Sequence, residues 1–152
     1  KKQVTDQVPV ALGFCSEIMP NEEDMIDAAD LEELKSIVND LKSTLLESTL
    51  PAYTINIISK HIANIEAALA SYKIIGAKAL DEVIKAAYGE VIVSEGVFKE
   101  AKGTKEMVLL KKAWNRTQTV LDGITSVNKR LGGVQGMAEK GHKLLELMDL
   151  VS

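Results

Sequence analysis

The sequence predicts an all-α protein, an antiparallel bundle of five or six helices of which two are long. Aliphatic residues recur at steps of three and four along most of the chain, and no proline follows residue 51. Only 4% of the 152 residues are aromatic. Helices that each bury one aliphatic stripe pack together as a bundle, and a chain of this length forms one ordinary domain. We therefore predict a single domain over residues 1–152.

The N-terminal segment 1–20 is expected to be irregular, because Pro9, Gly13 and Pro20 interrupt helical spacing. The first clear helix is expected to begin at Asp30, which with Glu33 resembles a capping box. Its apolar stripe consists of Leu31, Leu34, Val38, Leu41 and Leu45. This spacing is typical of one buried helix face.

The strongest helical pattern follows Pro51, which suits the first turn of a helix. Its seam consists of Ile55, Ile58, Ile62, Ile65, Leu69 and Tyr72. The seam predicts a long helix over 51–73, and Gly76 then indicates a turn. The next predicted helix carries Leu80, Val83, Ile84 and Ala87 and is expected to end near Gly89.

Residues 94–103 are predicted to be a lysine-rich connector. Val91, Ile92 and Val93 before it favour extended backbone locally, but no second strand-like run exists for pairing. A second long helix is predicted over 104–131. Its seam consists of Leu110, Trp114, Thr117, Leu121, Ile124 and Leu131, interrupted by the polar Asn128. Four glycines between 132 and 141 indicate a turn near Gly132, or else a close approach, before a last helix over about 134–150.

Metal-binding patterns are incomplete. Glu139 and His142 have the spacing that holds di-iron centres in four-helix bundles, but such a centre needs a second copy and two further carboxylates. The acidic stretch 17–33 has Met25 and Ile26 where a calcium loop needs ligands or glycine. We therefore predict no metal and no cofactor.

Patterns for catalysis are also incomplete. Residues 136–141 have the outer spacing of a phosphate-binding loop, but His142 and Lys143 replace the required Lys and Ser or Thr. Cys15 has no flanking signature of a nucleophile and is expected to be a small buried side chain. His61 lies beside the long seam, where a partly buried, hydrogen-bonded histidine is expected.

Charge is divided along the chain, whose net charge is −4. Carboxylates concentrate between Glu17 and Glu33, and basic residues concentrate between Lys99 and Arg116. The basic cluster has few aromatic residues able to stack on bases, and we predict no nucleic-acid binding. No apolar run approaches the length that spans a bilayer, so membrane association is not expected. A single cysteine and no visible signal peptide favour a cytoplasmic location.

These patterns favour a protein-interaction or assembly module that self-associates, of a regulatory or inhibitor type and without catalytic activity. The candidate partner contacts are Trp114, Asn128, Glu23 and Asp27. Tryptophan is enriched at interface hot spots, although core packing is the default for Trp114. Polar seam positions such as Asn128 fix partner and register in helical assemblies. Glu23 and Asp27 belong to the acidic stretch, which would suit a basic partner.

Two alternatives belong to other classes. A helical bundle can hold a ligand or a reaction in a pocket between helices, which would require Tyr53, Tyr72, His61 or carboxylates to converge. A membrane-active helical protein is the second alternative, motivated by the glycine cluster and the amphipathic last helix. The scarcity of aromatic residues argues against it.

Overall fold

The computed structural model describes the backbone of residues 28–130 and 139–151, with side chains for 28–124 and 140–150. Within these ranges it has six helices and no strand. They are α1 (Ala28–Leu46), α2 (Ala52–Ile75), α3 (Ala77–Val93), α4 (Glu95–Glu100), α5 (Lys105–Arg130) and α6 (Glu139–Val151). The all-α prediction is confirmed, and α2 and α5 are the two long helices.

Helices α2 and α3 form a hairpin joined by a single residue. Gly76 has φ 61° and ψ −148°, a conformation that residues with a Cβ rarely adopt. Its backbone N–H donates a 2.8 Å hydrogen bond to the carbonyl of Tyr72, which closes the last turn of α2. The turn predicted at Gly76 is therefore confirmed as a link of one residue between the two helices.

The segment around α4 differs from the prediction. Helix α3 continues to Val93 rather than ending near Gly89, because Val91 is buried in the core and tertiary packing outweighs its β propensity. The predicted connector at 94–103 contains the six-residue helix α4. Phe98 on α4 is fully buried, so this short helix contributes to the core.

The start of α5 agrees with the prediction. The Thr104 hydroxyl accepts a 3.4 Å hydrogen bond from the Met107 N–H, and the Thr104 carbonyl accepts one from the Val108 N–H. Both bonds satisfy donors in the first turn of the helix, as an N-terminal cap does. The predicted turn near Gly132 lies outside the described residues. Farther along, Gly141 in α6 packs directly against the Gln118 side chain of α5.

Helix α1 packs between α2 and α5, while α3 packs against α2, α5 and α6. The predicted stripes supply the core, in which Leu31, Leu45, Ile55 and Leu69 are only partly buried. Fully shielded members include Leu34, Leu41, Ile58, Ile65, Leu80, Leu110 and Leu121. Because three helices surround α3 while α2 touches mainly α1 and α3, the outer surfaces of α2 are left open among the described residues.

Candidate functional site

An open apolar groove lies between α1 and α2 near the loop that joins them. Its volume is about 350 Å³. Its lining consists of Leu45, Leu46, Ile55, Ile62 and Ala63, together with Lys42, Ser59 and Glu66. Leu46 is 88% exposed, the largest exposed fraction among the large apolar side chains of the described residues. We call this surface the Leu46 groove.

The Leu46 groove continues along α1 and α2 into a more polar section of about 510 Å³. The polar section is lined by Lys35, Val38, Asn39, Glu66, Leu69, Ala70 and Lys73. At the boundary, the Lys42 Nζ lies 2.7 Å from the Glu66 carboxylate and joins the two helices. The complete groove therefore changes from apolar at the Leu46 end to basic at the Lys35 and Lys73 end.

A second open surface follows the α2–α3 hairpin. Two shallow grooves of about 570 and 290 Å³ lie end to end along it and share Asn64 and Ala86. Tyr53 and Val93 line one end and are 63% and 87% exposed. The Lys60 Nζ lies 2.7 Å from the Glu90 carboxylate and connects α2 to α3 across the groove. We call this surface the hairpin face.

Behind α2, inside the bundle, His61 is completely buried between two aromatic rings. Its imidazole contacts Phe98 at a centroid distance of 5.7 Å and Trp114 at 5.6 Å, both edge-to-face. Neither ring nitrogen of His61, nor the indole Nε1 of Trp114, has a hydrogen-bond partner among the described residues. The histidine is thus more buried than expected, and the predicted hydrogen bond is not found in the described part of the chain.

Burial controls the protonation of His61. Desolvation lowers its pKa from 6.5 to about 4, opposed by the nearby Glu90 carboxylate and assisted by the Lys60 ammonium. The imidazole is therefore neutral at pH 7. Because no groove reaches the ring in the described structure, His61 acts as a core residue and not as an accessible acid or base.

Glu106 ties the first turn of α5 to the loop after α1. A hydrogen bond from the Ser48 hydroxyl lowers the pKa of its carboxyl, against a smaller opposing effect of burial. Thr104 and the N–H of Glu106 itself also stabilise the carboxylate. This contact ties the loop between α1 and α2 to α5.

Much of the divided charge is paired within the chain. Arg116 contacts both Asp30 and Glu33, so the two ends of the charge division meet between α1 and α5. Lys111 contacts Asp149, and Lys99 contacts Glu95. Among the described residues, these pairs reduce the charge that is available to an outside partner.

Of the four predicted partner contacts, Trp114 alone has a described side chain. Trp114 is 1% exposed and packs in the core, which is the default predicted for it from the sequence. Asn128 lies in the part of α5 whose side chains are not described, and Glu23 and Asp27 lie outside the described residues. Cys15 also lies outside them.

The other chemical candidates remain dispersed. The exposed imidazole of His142 lies 3.7 Å from the Asp122 carboxylate, and the side chain of Glu139 is not described. No group of three or more metal-binding side chains occurs among the described residues. Tyr53 lies on the hairpin face, whereas Tyr72 and His61 are buried, so these three do not converge on one pocket.

Sequence reasoning missed both open surfaces. The pair Leu45 and Leu46 offered one signal, since the second leucine lies off the stripe and has no place on the buried face. The alanines spaced along α2 and α3 offered a second signal, for the hairpin face. Neither signal specifies which helices border a groove.

No helix in the described part of the chain is both long and apolar enough to cross a membrane. Comparisons with known proteins find no matching family model, no similar curated protein and no similar solved structure.

Proposed function

We propose that this chain is a protein-interaction module whose Leu46 groove holds an amphipathic helix of a partner protein. The observation that carries the proposal is the 88% exposure of Leu46 beside the apolar Leu45 and Ile55. Contiguous apolar surface between helices is the ordinary docking site for the apolar face of another helix.

The shape of the groove favours a helix over a small molecule. Small-molecule sites enclose most of their ligand, whereas this groove is open along its length between α1 and α2. From Lys35 to Leu46 it follows twelve residues of α1, whose eleven steps correspond to about 16 Å at the rise of an α-helix. A partner helix of three turns would cover it.

The charge of the groove specifies the partner further. Lys35 and Lys73 lie at one end, and Lys73 has no ion pair with a described residue, whereas Lys35 pairs with the exposed Glu32. The other end is apolar. We therefore expect the partner helix to carry apolar residues at steps of three and four, with carboxylates in the turn that faces the two lysines.

A crosslinking experiment tests the proposal. A photoreactive amino acid at position 46 is expected to capture a peptide with this pattern from the native host, identified by mass spectrometry. The same group at Val108, an exposed apolar residue of α5 outside the grooves, is the matched control. Equal capture at both positions, or capture of a second copy of this chain at position 46, would contradict the proposal.

Affinity for the captured peptide gives the second measurement. Leu46→Asp places a charge in the apolar section and should weaken binding by at least about tenfold, or about 1.4 kcal/mol. Val108→Asp should leave the affinity unchanged. Because both side chains are exposed, neither variant should disturb the fold, which circular dichroism checks.

A further inference from the structure

The hairpin face is built for close approach of other helices. Its lining includes a set of small residues: Ala67, Ala68, Ser71, Ala79, Ala86 and Gly89. A Cβ added at Gly89 would meet nothing within 4 Å, so the space above this part of α3 is open. Large exposed apolar side chains lie at its ends, with Tyr53 and Val93 at one and Ile75 at the other, and the exposed Lys60 and Glu82 lie between them.

The two helices of the face are complementary level by level. Tyr53 and Val93 lie at the same end of the face, the oppositely charged Lys60 and Glu90 share a level, and Asn64 and Ala86 lie at the middle. Opposite charges thus already match between α2 and α3 within one chain. No level of the face places two like charges side by side.

We infer that the hairpin face binds a second copy of this chain around a twofold axis parallel to α2 and α3. Such an axis keeps every residue at its own level and lays α2 of one copy over α3 of the other. Lys60 then meets Glu90 of the second copy, and Tyr53 lies at the same end of the interface as Val93 of the second copy. The complementarity within the hairpin is repeated between the copies.

The charges support this occupant. Lys60 and Glu90 of the two copies form a ring of four alternating charges, in which each ammonium lies between two carboxylates. Exposed ion pairs contribute little singly, but such a ring sets register and excludes other alignments. Asn64 comes near its own copy across the axis, where paired amides can hydrogen-bond to each other.

The resulting dimer interface has the packing of an antiparallel four-helix bundle. The two hairpins become a four-helix bundle in which each helix runs antiparallel to both of its neighbours, so that neighbouring helix dipoles oppose. The small residues let the helices approach closely. This inference goes beyond the proposed function, because the Leu46 groove lies between α1 and α2, away from α3.

Charge exchange between copies gives a decisive experiment on the full chain. Lys60→Glu and Glu90→Lys each place like charges around the ring, and each variant alone should be monomeric in sedimentation equilibrium. Mixed together, they should form a heterodimer, because the new carboxylate at position 60 of one variant then meets the new ammonium at position 90 of the other. A contact within one chain predicts no such rescue on mixing.

Two further variants complete the test. Ala86→Arg places a long side chain at the middle of the face and should raise the dimer dissociation constant by at least about tenfold. Lys35→Glu, on α1 away from the face, should leave it unchanged. A wild-type chain that stays monomeric at about 0.1 mM, homodimers that survive either charge variant, or a mixture without heterodimer would overturn the inference. Leu46→Asp should not change dimerisation, so this experiment can contradict the dimer without contradicting the proposed role of the Leu46 groove.

Discussion

The imidazole of His61 meets the indole of Trp114 edge-to-face, with the ring planes inclined at 83°. Phe98 of α4 contacts the same imidazole at 63°, so three helices converge on one histidine. Aromatic contacts of this kind stabilise the neutral ring, and they leave no water around it to solvate a charge.

The free energy of unfolding should therefore decrease as the pH falls, because of the protonation of His61. Its pKa is about 4 in the folded chain and 6.5 when solvated. Because the folded value is lower, the unfolded chain binds the proton first as the pH falls. The stabilising effect of the neutral ring is complete above about pH 6.5 and is lost toward pH 4, amounting to about 3 kcal/mol.

His61→Leu should remove this dependence. The free energy of unfolding can be measured in urea by the fluorescence of Trp114. Between pH 7 and pH 4 its decrease should be about 3 kcal/mol smaller in the variant than in the wild type. His142→Gln, which changes an exposed imidazole, is the control and should keep the wild-type profile. Parallel profiles for His61→Leu and wild type would contradict the prediction.

Arg116 should stabilise the contact between α1 and α5. It pairs with Asp30 and Glu33 and is itself only partly exposed. Arg116→Leu is expected to cost about 1 kcal/mol, and the loss should shrink at high salt, because partly exposed pairs are screened.

The exposed pair of Lys35 and Glu32 within α1 provides the control for Arg116. Lys35→Met should cost less than about 0.5 kcal/mol, the usual contribution of a surface pair one turn apart. A salt-independent loss in Arg116→Leu would show that packing of the side chain, and not its charge, holds α1 to α5.

Gly141 should be coupled to Gln118. A Cβ at Gly141 would overlap the Gln118 side-chain amide, whereas a Cβ at Gly123 of α5 would meet nothing within 4 Å. Gly123→Ala should therefore stabilise the chain by about 0.5–1 kcal/mol. Gly141→Ala should not stabilise it, because the Gln118 amide must move away from its 2.7 Å hydrogen bond to Asp122.

The Gln118→Ala background separates crowding from helix propensity. There Gly141→Ala should become favourable, with a coupling of about 1 kcal/mol between the two positions in thermal or urea unfolding. Additive effects would mean that Gln118 does not fill the space above Gly141.

Much of the fold could be predicted from the sequence, because the aliphatic period fixes both the helices and their buried faces. Ile58, Ile62 and Ile65 are buried as their spacing required. Phe98 could not be placed in the same way, since a six-residue helix is too short to display a period.

The candidate surfaces were less predictable, for a physical reason. A groove depends on how two helices are spaced and tilted, and the stripe of each helix alone carries no such information. Leu46 lies directly after the last residue of the α1 stripe, and Trp114 could be read as core or contact. The contact of Trp114 with His61 joins residues on different helices and has no local signature.

The single-residue link at Gly76 has a consequence for how the chain is made. Asp30 and Arg116 stand 86 positions apart, so their contact must wait for most of the polypeptide. The α2–α3 hairpin, by contrast, closes with little loss of chain entropy and uses no residue beyond Val93. The growing polypeptide can thus form the hairpin face, which we infer to bind a second copy, while α5 and α6 are still being synthesised.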